Sequence, residues 1–267
     1  MFRIACLNIV MVVLVGCSAD DPLNPSFPLK LADAKAVLKQ MQANPKPLRR
    51  PLIVLGGWAD PGINAHRIRT GFGRLTGDDR IIGIAFLGDG TFEKCSQRTI
   101  ERVEKAFPST DPRWTTEVDV IGYSSGGLVA RRAERPPPAN AKPRKRLRIA
   151  RLFSISAPHQ GCNWAKIPTF DRIRIEMRPG SELIRWLNAA LPKTKYKMYN
   201  YVRLNDGVLG SAHAAPPGQT PWWVANQPFE NKHLGIADDP RVWADIARRL
   251  RGEKPFATHP PAPFPDE

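Results

Sequence analysis

Val118-Asp119-Val120-Ile121-Gly122-Tyr123-Ser124-Ser125-Gly126-Gly127 is the stretch whose reading decides the fold. Its first four residues are a short, mostly apolar run of the kind that forms a buried strand, and Leu128 to Ala133 after it starts a helix. Between them stands a G-x-S-x-G pattern centred on Ser124; Ser125 cannot be the centre, because the Gly it would need at 123 is Tyr. A strand that turns sharply into a helix strains the residue at the turn. A side chain at either flanking glycine would also collide with neighbouring strands. A plain Gly-Ser loop could follow any strand; the strand before and the helix after lift this one above that reading.

Working outward, Leu52 to Leu55 is an apolar run closed by Gly56-Gly57, and Ile81 to Phe86 is another, closed by Gly88-Asp89-Gly90. A helix is expected from about Glu93 to Phe107, with Ile100, Val103 and Phe107 at spacings of three and four. Ile149 to Ile155 reads as a fourth strand, and Lys197 to Leu204 and Trp222 to Ala225 as two more. Asp239 to Arg251 closes the domain as an amphipathic helix carrying Val242, Trp243, Ile246 and Leu250 on one side. Strand and helix alternation of this kind predicts the α/β class, with a mostly parallel sheet and helices on both faces. There is no internal repeat.

The chain divides into residues 1–16, a leader; 17–50, a tether and N-terminal helix; 51–252, the α/β domain; and 253–267, a Pro-rich tail. Ile4 to Val15 is apolar but too short for a permanent span, which suits a signal peptide. Leu14-Val15-Gly16-Cys17 resembles the lipobox of bacterial lipoproteins. That resemblance implies cleavage before Cys17 and lipid attached to it, and Ser18 in place of Asp implies the outer membrane of the bacterial envelope. An ordinary signal peptide with an incidental Cys is the alternative. Three prolines between residues 18 and 29 suit a tether, Leu29 to Met41 has helical spacing, and the last dozen residues hold four prolines without periodicity, so a disordered tail is expected. In an oxidising compartment Cys95 and Cys162 could pair as a disulfide or stay as two separate thiols; both readings stay open.

The whole chain carries a formal charge of +15, reduced by one Arg and no acid when residues 1–16 are removed. Such a balance suits nucleic acid or an anionic membrane surface. No zinc-finger spacing and no aromatic RNA-binding box accompanies it, which argues against nucleic acid. Residues 131–151 hold nine Lys or Arg against one Glu. They read either as a solvated connection or as a contact for anionic envelope lipid, on the face away from Ser124.

A serine hydroxyl needs a base to take its proton and a carboxylate to orient that base. Of five histidines, His66 precedes Ser124, His259 lies in the Pro-rich tail and His159 follows its strand too closely, which leaves His213 and His233. His233 lies between the last strand and the last helix. Asp206, in Leu204-Asn205-Asp206-Gly207-Val208, follows a strand and leads into a turn, although Asp-Gly favours a self-bonded turn in any protein.

These segments together resemble the bacterial lipase and esterase branch of the α/β-hydrolases, from about Pro51 to Arg251. Leu55-Gly56-Gly57-Trp58 is similar to the loop after that family's first core strand, Gly122 to Arg131 to its nucleophile elbow, and Ser156-Ala157-Pro158-His159-Gln160-Gly161 to its T-P-H-x-G stretch. Met177 to Ser181 with Leu187-Asn188 is similar to its excursion before the acid. The resemblance implies Ser124, Asp206 and His233 as catalytic residues, the backbone N–H groups of Ser125 and Trp58 as oxyanion donors, a small cap or lid before the acid, and neither cofactor nor metal. Gly56 departs from the family, which has His in its H-G pair.

The implied activity is hydrolysis of carboxylic esters through an acyl-enzyme, with lipid esters favoured. Leu183, Ile184, Leu187 and Leu191 share a helical face that could line an acyl groove or simply pack on the core. An acyltransferase or thioesterase with the same residues, or a hydrolase scaffold kept only for binding, are the rival readings. A membrane partner through lipidated Cys17 and an ester substrate complete the expected partners.

Overall fold

A computed structural model describes residues 22–137 and 143–265. The leader, Cys17 and the lipidation assigned to it lie outside those residues. The six strands β1 (Leu52–Leu55), β2 (Ile81–Ile84), β3 (Val118–Tyr123), β4 (Ile149–Ile155), β5 (Lys197–Arg203) and β6 (Trp222–Val224) form one sheet in the order β2-β1-β3-β4-β5-β6. Every neighbouring pair is parallel. The short apolar runs of the sequence become strands because a parallel sheet covered on both faces buries alternate residues in two cores. Ile53 and Leu55 of β1 join one core with Val118 and Val120 of β3, whereas Leu52 and Val54 join the other with Ile121 and Tyr123.

The first core is covered by α3 (Phe92–Ala106), α4 (Ser125–Glu134) and the excursion after β4, with α5 (Arg172–Glu176) and α6 (Glu182–Ala189). The second is covered by α1 (Leu31–Ala43), α2 (Ile63–Thr76) and α8 (Pro240–Arg251), the last preceded by the short α7 (Lys232–Gly235). No described helix is long and apolar enough to cross a membrane.

The sequence gives no sign of α2, because Gly71 and Gly73 interrupt its pattern. Ala65, Ile68, Phe72 and Leu75 are nonetheless buried at helical spacing. Gly71 is required by packing: a Cβ there would stand 2.1 Å from a ring carbon of Trp243 in α8. Tertiary contact overrides the local cost of glycine in a helix.

Both ends of the domain pack, contrary to expectation. Phe27 and Leu29, read as tether, are buried in the second core. The Pro-rich tail is docked rather than disordered as far as residue 265. The Trp222 and Trp223 indoles donate to the carbonyls of Thr258 (2.7 Å) and Pro263 (2.9 Å), and the Thr258 N–H donates to the Ser26 carbonyl (2.8 Å). Buried Asp245 accepts from the N–H groups of Phe256 and Ala257 and from the Tyr201 hydroxyl. The two terminal segments therefore close over side chains of the edge strand β6.

Cys95 and Cys162 are separate, buried thiols. Cys95 lies in α3, not in a loop, and burial pushes its thiol up to about 12.

Candidate active site

Ser124 stands between β3 and α4 with φ +52° and ψ −127°, a conformation that favours glycine. The turn is this sharp because α4 must start directly against β1. A Cβ on Gly126 would stand 2.3 Å from the Leu55 carbonyl oxygen, so only glycine lets the helix approach. Parallel topology brings the ends of β1, β3, β5 and β6 to one edge of the sheet, and the loops after them carry Trp58, Ser124, Asp206 and His233.

His233 Nδ1 lies 2.8 Å from Asp206 Oδ2, and its Nε2 lies 3.1 Å from Ser124 Oγ. A carboxylate only accepts, so the ring proton sits on Nδ1. The lone pair of Nε2 then faces Ser124 and receives its O–H. Asp206 is 1% exposed, and its other oxygen accepts from the Val208 N–H at 3.1 Å.

The His233 backbone is fixed at both ends. Asn231 Oδ1 accepts from the N–H groups of His233 (3.1 Å) and Leu234 (2.9 Å), while the Tyr123 hydroxyl donates to the His233 carbonyl at 3.1 Å. Arg203, fully buried at the end of β5, ties the two loops together. It pairs with Glu230 and with Asp239 (2.8 Å) and donates to the Gly235 carbonyl (3.1 Å). On the other side Ser211 Oγ donates to the Arg203 carbonyl and accepts from the Asp206 N–H. Asn231, two residues before a candidate His at a helix start, is a capping signal present in the sequence; the Arg203 network is long-range and has none.

The N–H of Ser125 opens α4, and the loop of Trp58 runs beside Ser124, a Cβ on Gly57 falling 3.1 Å from Ser124 Cβ. Neither N–H is taken by another group among the described residues. The departure at Gly56 has a steric cause. Asp60 fills that space, with Oδ2 2.9 Å from where a Gly56 Cβ would be, and its carboxylate accepts from the N–H groups of Gly62, Asn64 and Ala65 at the start of α2.

A cavity of about 530 Å³ opens onto Ser124 and His233, walled by Trp58, Ile63, Trp164, Met177, Leu209 and Leu234. The Trp58 indole donates to Asp171 at 2.8 Å and its ring meets Trp164 at 5.1 Å, which joins the β1 loop to the excursion. Of the two readings of α6, packing on the core holds: Ile184 and Leu187 are buried in the first core, while Leu183 and Trp186 border a different cavity with Phe92 and Arg132. The apolar wall comes instead from residues 162–177, 208–209 and the start of α2, which the sequence did not single out.

His213 does not reach Ser124; its Nδ1 donates to the Gly161 carbonyl at 3.0 Å. His159 is wholly buried. Arg131 donates to its Nδ1 (3.1 Å), so the ring proton is on Nε2 and is donated to Ser154 Oγ (3.0 Å). Burial, reinforced by the Arg131 charge, holds that imidazole well below the usual histidine range. Arg131 also bridges to the Leu187 carbonyl and Asn188 Oδ1, an interior role.

Its neighbours in the basic segment are spoken for as well. Arg132 and Arg144 pair with Glu93, Lys145 with Glu104, Arg146 with Glu134 and Arg151 with Asp119. Charges paired in this way favour, for the described part of residues 131–151, the reading as a connection over the one as a contact for anionic lipid. No cluster of three or more His, Cys, Asp or Glu side chains is arranged to hold a metal ion among the described residues.

The architecture is shared with solved structures. Phospholipase PlaB from Legionella pneumophila is similar over 75% of this chain and 60% of its own, at 12% identity and a TM-score of 0.54. This chain has the α/β-hydrolase fold. In complex with thio-NAD, PlaB gives a TM-score of 0.51 over 75% of this chain and 58% of its own. This chain thus spans less than two thirds of PlaB. BlEst2, a lipase of Bacillus licheniformis in its mature form, is similar at 13% identity over 78% of this chain and 94% of its own, with a TM-score of 0.49. No family model matches the sequence, and no curated protein does.

Proposed function

We propose that this α/β-hydrolase cleaves carboxylic esters through an acyl-enzyme formed on Ser124. The observation that carries the proposal is the unbroken line from Asp206 Oδ2 through the His233 ring to Ser124 Oγ, with contacts of 2.8 and 3.1 Å. In this reading Ser124 Oγ attacks the ester carbonyl carbon while its proton passes to His233 Nε2, and Asp206 stabilises the resulting imidazolium. The carbonyl oxygen, now negative, is met by the N–H groups of Ser125 and Trp58, held in place before substrate arrives. Collapse breaks the bond to the alcohol, which leaves with the proton from His233. Water activated by the same base then releases the acid and restores Ser124.

Lipid esters are the favoured substrates, because the cavity beside Ser124 is walled by large apolar side chains. Each methylene buried contributes roughly 0.8 kcal/mol, about a fourfold gain in kcat/KM until the wall is covered. Against chromogenic esters from acetyl to palmitoyl, activity is therefore expected to rise to medium chains and persist beyond them. Activity confined to acetyl and propionyl esters would rule out the lipid-ester reading.

Attachment through lipid on Cys17 is proposed as the route to the bacterial envelope. Its support is the Leu14-Val15-Gly16-Cys17 pattern. The Cys17→Ala protein is expected to leave the membrane fraction, since acyl chains anchor in proportion to the methylenes they bury; retention at high salt would count against it.

A further inference from the structure

Nine large apolar side chains stand exposed among the described residues, and six of them lie on or next to the segments that wall the Ser124 cavity. Ile63, Trp164 and Leu234 are both exposed and part of the wall of the Ser124 cavity. Ile167 and Phe170 extend from Trp164 along the excursion, Phe170 directly preceding the Asp171 that holds the Trp58 indole. Phe229 stands two residues before Asn231, another residue of the cavity lining, in a left-handed backbone conformation with φ +60° that favours glycine. Phe170 and Phe229 are as open to solvent as a side chain can be, at 105% and 109% relative exposure. A soluble surface scatters its exposed apolar residues; a concentration of them on the segments beside a cavity marks a contact.

The same segments also carry cations that form no ion pair. Lys166 and Lys232 form no ion pair among the described residues, Arg172 pairs with Glu176 at 3.4 Å, and Arg174 lies over the Trp164 ring at 4.0 Å. The carboxylates of the same segments are paired. Asp171 caps α5 and holds Trp58, Glu230 pairs with buried Arg203, and Asp238 pairs with Arg67 at 2.6 Å. Apolar tips with free ammonium groups between them are complementary to an anionic lipid surface, whose headgroups attract Lys and Arg while its acyl region accepts the apolar residues.

We propose that this rim docks on an anionic phospholipid bilayer, with Phe170 and Phe229 entering the acyl boundary and Lys166 and Lys232 meeting headgroup phosphates. Docked so, the cavity mouth faces the bilayer, and an acyl chain reaches Ser124 without crossing water. The inference rests on the lipid-ester reading for the substrate it delivers, but its test measures binding with the nucleophile removed, so the two fail separately.

The test uses the full chain with Cys17→Ala and Ser124→Ala, so that neither an acyl anchor nor turnover contributes, and sedimentation with vesicles of mixed phosphatidylglycerol and phosphatidylcholine. Phe170→Ser with Phe229→Ser is expected to weaken binding about tenfold or more, as loss of two buried rings requires. Lys166→Glu with Lys232→Glu is expected to do the same on anionic vesicles, by about tenfold. Lys35→Glu with Lys39→Glu makes the same charge change on α1, which covers the other core, and should leave binding within about twofold of the parent. Equal binding by rim variants and parent, equal loss in the α1 control, or equally tight binding to pure phosphatidylcholine would overturn the proposal. So would self-association through the rim without vesicle binding, which would make a second copy its occupant.

Discussion

Ser124→Ala is expected to lower kcat/KM on a chromogenic ester by about six orders of magnitude, as removal of a serine nucleophile does where three residues act as one unit. What remains should be the small catalysis left by the oxyanion donors and binding alone. The fold should be unaffected. Alanine keeps the Cβ and therefore neither adds to nor relieves the strain at φ +52°, and the lost hydroxyl makes its contact with His233 on the rim of a cavity rather than in the core. Ser125→Ala is the matched control. Its proposed contribution is a backbone N–H, which alanine retains, so activity should stay within about tenfold of the parent. Steady-state kinetics with thermal unfolding on both proteins decides it. An active Ser124→Ala protein beside an inactive Ser125→Ala protein would show the motif to be registered one residue early.

His233→Ala should cost about as much as Ser124→Ala, and Asp206→Ala less, about four orders of magnitude. The difference follows from the geometry. Without His233 nothing within 3.1 Å of Ser124 Oγ takes its proton. Without Asp206 the ring stays, held by the Asn231 cap and the Tyr123 hydroxyl at its backbone, but loses the acceptor that fixes its proton on Nδ1. Combining either change with Ser124→Ala should add almost nothing, because the three residues form one line of hydrogen bonds and not three separate contributions. Additive losses in the double variants, or full activity in His233→Ala with loss in His213→Ala, would contradict this assignment.

The sheet was legible because a parallel strand covered on both faces has to be an apolar run, and all six runs became strands within two residues of their expected ends. Ser124 was legible for a local reason: strand, glycine-flanked turn and helix are contiguous. Asp206 and His233 needed the order of residues along the chain as well, and the structure brings both to Ser124 while it seats His213 on the Gly161 carbonyl.

What was not legible depends on partners far along the chain. α2 is hidden by Gly71, which only Trp243 explains. The docked tail is invisible because its proline-rich sequence matters less than the two indoles, Trp222 and Trp223, that bind its carbonyls. The pairing of the basic segment was not legible because Glu93, Glu104 and Asp119, which neutralise it, are dozens of residues away. The glycine at 56 became intelligible only once the Asp60 carboxylate was seen to fill the space beside it.

The central claim is that Ser124 becomes acylated, and trapping it covalently tests this most directly. A fluorophosphonate reacts with a serine only when a base removes its proton and oxyanion donors hold the developing charge. Mass spectrometry of the digested, fully labelled protein is expected to place one adduct on Ser124, absent from the Ser124→Ala protein and from His233→Ala at matched exposure. An adduct on Ser125 or on any serine away from His233, or no adduct on a protein that hydrolyses esters, would contradict the account.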